Sequence, residues 1–250
     1  MNYKQYSPEM WARIESAVDR ALALDPAPVA AFDADGTLWD TDLGEAFFQF
    51  KIDRRLVPLP PEPWDHYVKL KAVDARAAYL WLAQILKGQT LEQVRQWADQ
   101  SLSAHHPVPV FSEQKKLIDF LRGKGVRVFI VTASIKWAVE PGARLLGLTN
   151  DDVIGIETVV EQGLMTDLQQ GILTHHEGKP LALLKATGGK KPFLAAGNTM
   201  GDLELIESSS DVRLAVSAAA RDDRLFKTED ELLKLGRERG WLTHRFIQGE

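Results

Sequence analysis

Residues 29–40 read VAAFDADGTLWD, and this segment sets the architecture. A short apolar run, typical of a buried strand, ends in Asp33 and Asp35 and continues at once into Gly-Thr. Gly36 permits a tight turn after the strand. Two carboxylates this close repel each other unless a cation or a shared proton stabilises them. The segment therefore indicates either a metal-assisted active site with Asp33 as nucleophile, or a plain turn, which Asp and Gly also favour.

Composition narrows the class of protein. The chain has 250 residues with 45% hydrophobic content, enough for a substantial core, and its net charge of −5 argues against nucleic acid as a partner. It contains no cysteine, which excludes thiol catalysis, disulfides and cysteine metal sites. The first residues lack the apolar core of a signal peptide, and no uncharged stretch reaches membrane-spanning length. We expect a cytoplasmic protein without a membrane partner, and the oligomeric state stays open.

The order of apolar patterns predicts an α/β fold with an insertion. Strand and helix patterns alternate from about residue 110 onward, which indicates a doubly wound parallel sheet with helices on both faces. Residues 42–109 contain helical patterns and Pro-rich segments but no good strand, so we expect a helical cap there and a core formed by 1–41 and 110–250. The patterns also predict a helical run over 64–87, a strand over 126–131, a hairpin over 158–174 and an exposed charged helix over 229–239.

Three predicted strands end in small polar residues. They end at Asp33 and Asp35, at Thr132-Ala133-Ser134, and at the turn from Gly197 to Asp202. Ligands of such sheets bind at the carboxyl ends of the strands, and oxygen donors suit Mg²⁺. Thr132 can donate a hydrogen bond to an oxyanion, and Lys179 can neutralise further negative charge. The candidate metal ligands are Asp33, Asp35, Asn198 and Asp202.

This ordered set of motifs resembles the haloacid dehalogenase superfamily over about residues 29–216. The resemblance implies a Rossmann-like core with a C1-type cap, as in its phosphoserine phosphatase-like and phosphorylcholine phosphatase-like branch, and Mg²⁺-dependent hydrolysis of a small phosphomonoester. It implies that Asp33 forms an aspartyl-phosphate and that Asp35 is the general acid and base. By the same resemblance Thr132 binds the phosphate and Lys179 neutralises its charge.

One motif departs from the family pattern. The last loop usually opens with Gly-Asp, whereas here Asn198 follows Gly197 and the acid comes later, at Asp202. Either residue can then be the direct metal ligand, and metal affinity can be lower. Asp35 is the acid that phosphatases of the superfamily carry and dehalogenases lack, which favours a phosphatase.

The segment after the first motif contains the candidate residues for recognition of the leaving group. Asp42 lies nine residues after Asp33, where relatives with amine- or ammonium-bearing substrates carry an acid, and Glu45 is a second choice. Aromatic residues in the cap can form a cation–π cage, although most aromatics at helical spacing fill a core. A phosphoserine-like or phosphocholine-like substrate is the resulting hypothesis. The expected substrate contacts are Gly36, Thr37, Trp39, Asp42, Ala133 and Ser134.

Two other functions remain open. A phosphotransferase or mutase would use the same aspartyl-phosphate, and a phosphate-binding protein with weakened turnover would fit Asn198. The pairs His105-His106 and His175-His176 are expected at the surface or at a hinge, because adjacent side chains do not easily converge on one metal.

Overall fold

The sheet confirms the predicted α/β core. The structure is a computed structural model that describes residues 3–247, so positions 1–2 and 248–250 of the predicted core lie outside it. Neighbouring strands are parallel, except for the predicted hairpin of β3 with β4, and the order is β4-β3-β2-β1-β5-β6-β7. In the described range the strands are β1 (Val29–Phe32), β2 (Arg127–Ile135), β3 (Val153–Glu161), β4 (Leu164–Gln170), β5 (Pro192–Gly197), β6 (Val212–Ser217) and β7 (Leu242–Arg245).

Both faces of the sheet are covered, as a doubly wound fold requires. Side chains of a strand alternate between its faces. Accordingly, Ala30 and Phe32 of β1 belong to one hydrophobic cluster, whereas Val29 and Ala31 belong to another. All four are buried, which explains why β1 appears in the sequence as an uninterrupted apolar run.

The helices include a block inserted after β1. Helices α2 to α5, called the inserted helices below, lie between β1 and α6. No helix within residues 3–247 is long and apolar enough to span a membrane. The helices are α1 (Pro8–Leu24), α2 (Leu43–Asp53), α3 (Pro63–Val73), α4 (Ala75–Gln84), α5 (Leu91–Ala104), α6 (Ser112–Gly123), α7 (Lys136–Leu145), α8 (Gly178–Thr187), α9 (Leu203–Glu207) and α10 (Phe226–Glu238).

The single helical run expected over 64–87 is wrong, because it is divided at Asp74. This residue ends α3 in an extended conformation, and its side chain accepts a hydrogen bond from Ala77 N as the N-cap of α4. An aspartate is a strong N-cap, and without a flanking Gly or Pro it gives little local warning of a break.

The inserted helices pack firmly on the sheet. Phe47, Phe48 and Tyr67 share one buried cluster with Ile135 and Trp137 of β2 and α7. Most aromatic residues of this region therefore fill a core.

An ion pair adds to this contact between the inserted helices and the core. Arg95 of α5 donates to both carboxylate oxygens of Glu140 in α7, at 2.7 and 2.9 Å, and Glu140 is fully buried.

Two elements near the site differ from expectation. Strand β2 continues to Ile135, so Thr132 and Ser134 lie within it, because pairing with β3 resumes at Ile135 after a register shift. Helix α10 is not an exposed charged helix: Glu229 and Leu232 are buried against the core, and β7 follows it.

Candidate active site

Most of the predicted site residues meet in one cavity of about 340 Å³ at the carboxyl ends of the central strands. Thr37 and Trp39 are the exceptions, because both are fully buried and do not line it. The predicted residues that line the cavity are Asp33, Asp35, Gly36, Asp42, Thr132, Ala133, Ser134, Lys179, Asn198 and Asp202.

A buried lysine bridges two carboxylates at the base of the cavity. Lys179 Nζ lies 2.6 Å from Asp33 Oδ1 and 2.5 Å from Asp202 Oδ1, and all three residues are at most 6% exposed. Burial and the charge of Asp202 raise the pKa of Asp33, and Lys179 opposes that shift. Burial would lower the pKa of Lys179, yet the charges of Asp202 and Asp33 raise it. Lys179 is therefore held as a cation directly beside Asp33.

Three donors hold Asp35 on the other side of the turn. Trp39 Nε1 and Leu43 N donate to Oδ1 at 2.8 and 2.9 Å, and Ser134 Oγ donates to Oδ2 at 2.7 Å. Burial raises the pKa of Asp35, whereas these hydrogen bonds lower it. Trp39 thus orients Asp35 from behind, which differs from the expected contact with substrate. Gly142 of α7 makes room for the indole, since a Cβ there would lie 2.7 Å from Trp39 Cη2.

Thr132 lies at the point where β2 passes the cavity. Its hydroxyl accepts a hydrogen bond from Ser134 N at 3.0 Å, which leaves its own proton free to donate. Its carbonyl accepts from Thr174 Oγ1 at 2.5 Å, which fixes the backbone at this position. The arrangement presents a hydroxyl donor to the cavity.

Asn198 turns its amide oxygen toward Asp33. Thr37 Oγ1 lies 3.2 Å from both Asn198 Oδ1 and Asp33 Oδ2, so these two oxygens flank one hydroxyl. The amide nitrogen donates instead to Glu229 Oε1 at 2.8 Å. Within residues 3–247 no three carboxylate or imidazole side chains form a metal site by themselves. The Asp33 carboxylate and the Asn198 amide oxygen together offer oxygen donors alone, and such a donor set fits Mg²⁺.

Asp202 has both oxygens engaged. Its Oδ2 accepts from Asn198 N, Thr199 N and Thr199 Oγ1 in a capping box, while its Oδ1 faces Lys179. A Cβ on Gly197 would lie 2.4 Å from Asp202 Cβ, so only glycine permits this approach. Asp202 thus closes the turn and positions the lysine.

A second part of the cavity lining carries charges of both signs. It is called the outer half below and contains Asp42, Glu45, Tyr67, Lys71, Tyr79 and Arg224. Asp42 caps α2 through Glu45 N, and burial, together with Asp35 and Glu45, raises its pKa well above the usual range. Glu45 is neutralised by a bidentate pair with Arg224, at 3.0 and 2.6 Å. Within residues 3–247, Asp42 forms no ion pair, unlike Glu45.

Helices α3 and α4 contribute basic and aromatic residues to the lining of the same cavity. Lys71 Nζ lies 5.6 Å from the ring centre of Tyr67 and 5.0 Å from that of Tyr79. His175 is half-buried, lies against Tyr79 and lines the cavity, a place that the expected surface or hinge position did not specify. Burial and nearby cations lower the pKa of His175.

Sequence reasoning missed Glu229, Arg224, Lys71 and His175. These four residues do not directly follow a central strand in the chain. They belong to helices and loops, and charged residues of such segments are normally at the surface. For Glu229 the available signal was its place in a helix that also carries buried leucines.

Comparisons with known proteins bear on the family and the fold of this chain. Among curated proteins, phosphorylcholine phosphatase of Pseudomonas aeruginosa is 22% identical over 190 residues, 60% of this chain and 54% of that protein. The chain thus spans about half the length of this relative.

Among solved structures, a conserved functionally unknown protein from Anaerococcus prevotii has a TM-score of 0.74 and 12% identity, covering 98% of this chain and 96% of that one. Phosphoserine phosphatase in its apo form has a TM-score of 0.52 and 16% identity, covering 82% and 90%. These two likenesses show the fold alone. The family model described as haloacid dehalogenase-like hydrolase matches residues 30–207, most of the chain. This protein therefore belongs to the haloacid dehalogenase-like hydrolase family.

Proposed function

We propose that this chain is a Mg²⁺-dependent phosphatase that hydrolyses a small phosphomonoester through an aspartyl-phosphate on Asp33. The observation that carries the proposal is the contact of Lys179 with Asp33 at 2.6 Å in a cavity that Asp35 and Thr132 also line. The family and the phosphorylcholine phosphatase relative support it. We further propose that residues 42–109 act as the cap of a core formed by 1–41 and 110–250.

The proposed reaction uses the two aspartates in turn. An oxygen of Asp33 attacks phosphorus, the bond from phosphorus to the leaving oxygen breaks, and protonated Asp35 gives its proton to that oxygen. The Asp35 carboxylate then takes a proton from water, whose oxygen attacks phosphorus and breaks the bond to Asp33. Phosphate leaves and both aspartates are restored. Lys179 and Thr132 stabilise the charge on the phosphoryl oxygens.

Mg²⁺ would be held by Asp33, by the amide oxygen of Asn198 and by the backbone carbonyl of Asp35. Bound there, it would supply positive charge beside the phosphoryl oxygens. Asp202 is less suited to direct ligation, because its oxygens already accept from Lys179 and from the turn.

The charges of the outer cavity support a leaving group with both an ammonium and an anionic group. Asp42 gains most from a cation, because burial disfavours its charged form. Lys71 has no hydrogen-bond or ion-pair partner within residues 3–247, and it already covers the two tyrosines that a quaternary ammonium would use. A phosphoserine-type substrate is therefore favoured over a phosphocholine-type one.

The reaction is tested by phosphate release from p-nitrophenyl phosphate with Mg²⁺, comparing wild type, Asp33→Asn and the matched surface control Asp53→Asn. We expect Asp33→Asn to lose at least about a thousandfold in kcat and the control to keep full turnover. Metal-dependent turnover that survives in Asp33→Asn would contradict the nucleophile. No wild-type turnover would favour a phosphate-binding protein, and transfer to an added alcohol in preference to water would favour a phosphotransferase.

The substrate class is tested with O-phosphoserine, phosphocholine and glycerol phosphate. We expect O-phosphoserine to have the highest kcat/KM and Lys71→Met to lower it about tenfold, while phosphocholine hydrolysis is unchanged or faster. Asp42→Asn should lower kcat/KM for both amine-bearing esters and spare glycerol phosphate. Equal wild-type activity on O-phosphoserine and glycerol phosphate would refute the charge-based selection.

A further inference from the structure

Glu229 is a buried carboxylate without a paired cation. It is 2% exposed on α10, and within residues 3–247 no lysine or arginine forms an ion pair with it. Its Oε1 accepts from Asn198 Nδ2 at 2.8 Å, and its Oε2 accepts from Ser217 Oγ, Ala218 N and Ala219 N at 2.8–2.9 Å. Burying an unpaired carboxylate is costly even with such donors, so its position calls for an explanation.

The contact decides which end of the Asn198 amide faces the site. An ionised carboxylate only accepts hydrogen bonds, so it selects the NH₂ end of the amide. The oxygen is thereby turned toward Thr37 and Asp33, where Oδ1 lies 3.2 Å from Thr37 Oγ1. Without Glu229 the amide could present either end to the catalytic carboxylate.

The turn after β1 also lies close to the amide nitrogen of Asn198. A Cβ on Gly36 would lie 2.1 Å from Asn198 Nδ2, and Gly36 has a φ of +76°, which favours glycine. The amide therefore fits beside the turn only because residue 36 has no side chain, and Glu229 decides which of its two ends faces the site.

We propose that Glu229 is the positioning residue of the cation site: it fixes Asn198 with its oxygen toward the metal and supplies the negative charge that asparagine lacks at this position. Resting on the proposed function, the inference adds a carboxylate that acts through Asn198 without touching the metal. The negative charge is thus carried by Glu229, which is one hydrogen bond away from Asn198. Removing such a supporting carboxylate typically weakens metal binding 10–100-fold.

The test measures Mg²⁺ affinity by isothermal titration calorimetry on the full chain after EDTA treatment and dialysis. Four variants are compared with wild type: Glu229→Gln, Asn198→Asp, the double variant, and Ser217→Ala. The last removes a hydrogen bond to Glu229 without touching Asn198, and it serves as the matched control for a purely structural effect. Thermal unfolding of each metal-free variant establishes that it is folded.

We expect Glu229→Gln to weaken Mg²⁺ binding at least about tenfold, and Ser217→Ala to stay within about twofold of wild type. Asn198→Asp alone places two carboxylates at hydrogen-bond distance without a shared donor, so it should gain no affinity and lose thermal stability. The double variant, which moves the charge from position 229 to 198, should restore affinity to within about threefold of wild type.

Two outcomes overturn the inference while leaving the proposed function intact. The first is that wild type binds Mg²⁺ and the affinity of Glu229→Gln stays within about twofold of it, or that Ser217→Ala weakens binding as much as Glu229→Gln does. The second is a double variant no better than the product of the single effects, since charge relocation requires non-additivity. Absence of Mg²⁺ binding by the folded wild type would overturn the inference and the metal dependence together.

Discussion

Lys51 in helix α2 provides a quantitative test of how the inserted helices are packed. Its side chain is fully buried, with Nζ 3.3 Å from the carbonyl of Leu82 and 4.7 and 5.8 Å from the ring centres of Phe47 and Phe48. Burial lowers its pKa from 10.5 to about 7. We predict that Lys51→Met, which keeps the length of the side chain and removes the amine, stabilises the protein at neutral pH.

The magnitude follows from the difference in proton affinity between folded and unfolded chains. The interval from 10.5 to about 7 corresponds to about 5 kcal/mol, of which about 4 kcal/mol is present at pH 7. Between these pH values the unfolded chain binds more protons, so the free energy of unfolding of wild type rises with pH across the window. The lost hydrogen bond to Leu82 offsets about 1 kcal/mol. Lys51→Met should therefore gain about 3 kcal/mol at pH 7 and almost nothing at pH 10.

Urea denaturation of wild type and Lys51→Met at pH 7, 8.5 and 10 measures the gain. The matched control is Lys69→Met, an exposed lysine of α3, which should change the free energy of unfolding by less than about 0.5 kcal/mol at every pH. A gain that is the same at pH 7 and pH 10, or a loss at pH 7, would refute the reasoning. The proposed phosphatase activity should be retained, because Lys51 does not line the cavity.

Two further predictions concern the turn and the docking of the inserted helices. Gly36→Ala forces an alanine to a φ of +76° and places its Cβ 2.1 Å from Asn198 Nδ2. The change should lower the free energy of unfolding by about 2 kcal/mol or more and reduce kcat at least about tenfold. Wild-type values in urea denaturation and turnover assays would contradict this. Arg95→Met leaves the carboxylate of Glu140 buried without its partner. The change should lower the free energy of unfolding by about 3 kcal/mol, and replacing both residues by methionine should largely recover it. A loss below about 1 kcal/mol on denaturation would show that the pair does not support the contact between α5 and α7.

The central fold and the inner site were predictable because their signals are local. A strand buried on both faces appears as a continuous apolar run, and the residues after such strands must form the carboxyl edge of the sheet. That placed Asp33, Thr132 and Asn198 near one another before any geometry was known. The end of β2 was predicted too early, because hydroxyl side chains look like a turn while pairing with β3 continues through them.

The supporting residues were not predictable, because their burial depends on partners far apart in the chain. Glu229 is satisfied by donors from the β5 turn and from the end of β6, and no periodicity within α10 reveals them. Lys71 and Tyr79 likewise belong to helices whose pattern shows an apolar face but not which residues meet the cavity. Local pattern predicts which residues are buried more readily than it predicts contacts between distant segments.

The double engagement of Asp202 has a consequence for mutational screens of this protein. One carboxylate closes the capping box after β5 and also holds Lys179, so replacing it removes a contact within the turn and a contact with the lysine proposed to be catalytic in the same step. A loss of activity at this position therefore cannot be assigned to chemistry unless the abundance of folded protein is scored beside it. A compensating change for a substitution at position 202 would have to rebuild the turn and the lysine contact together.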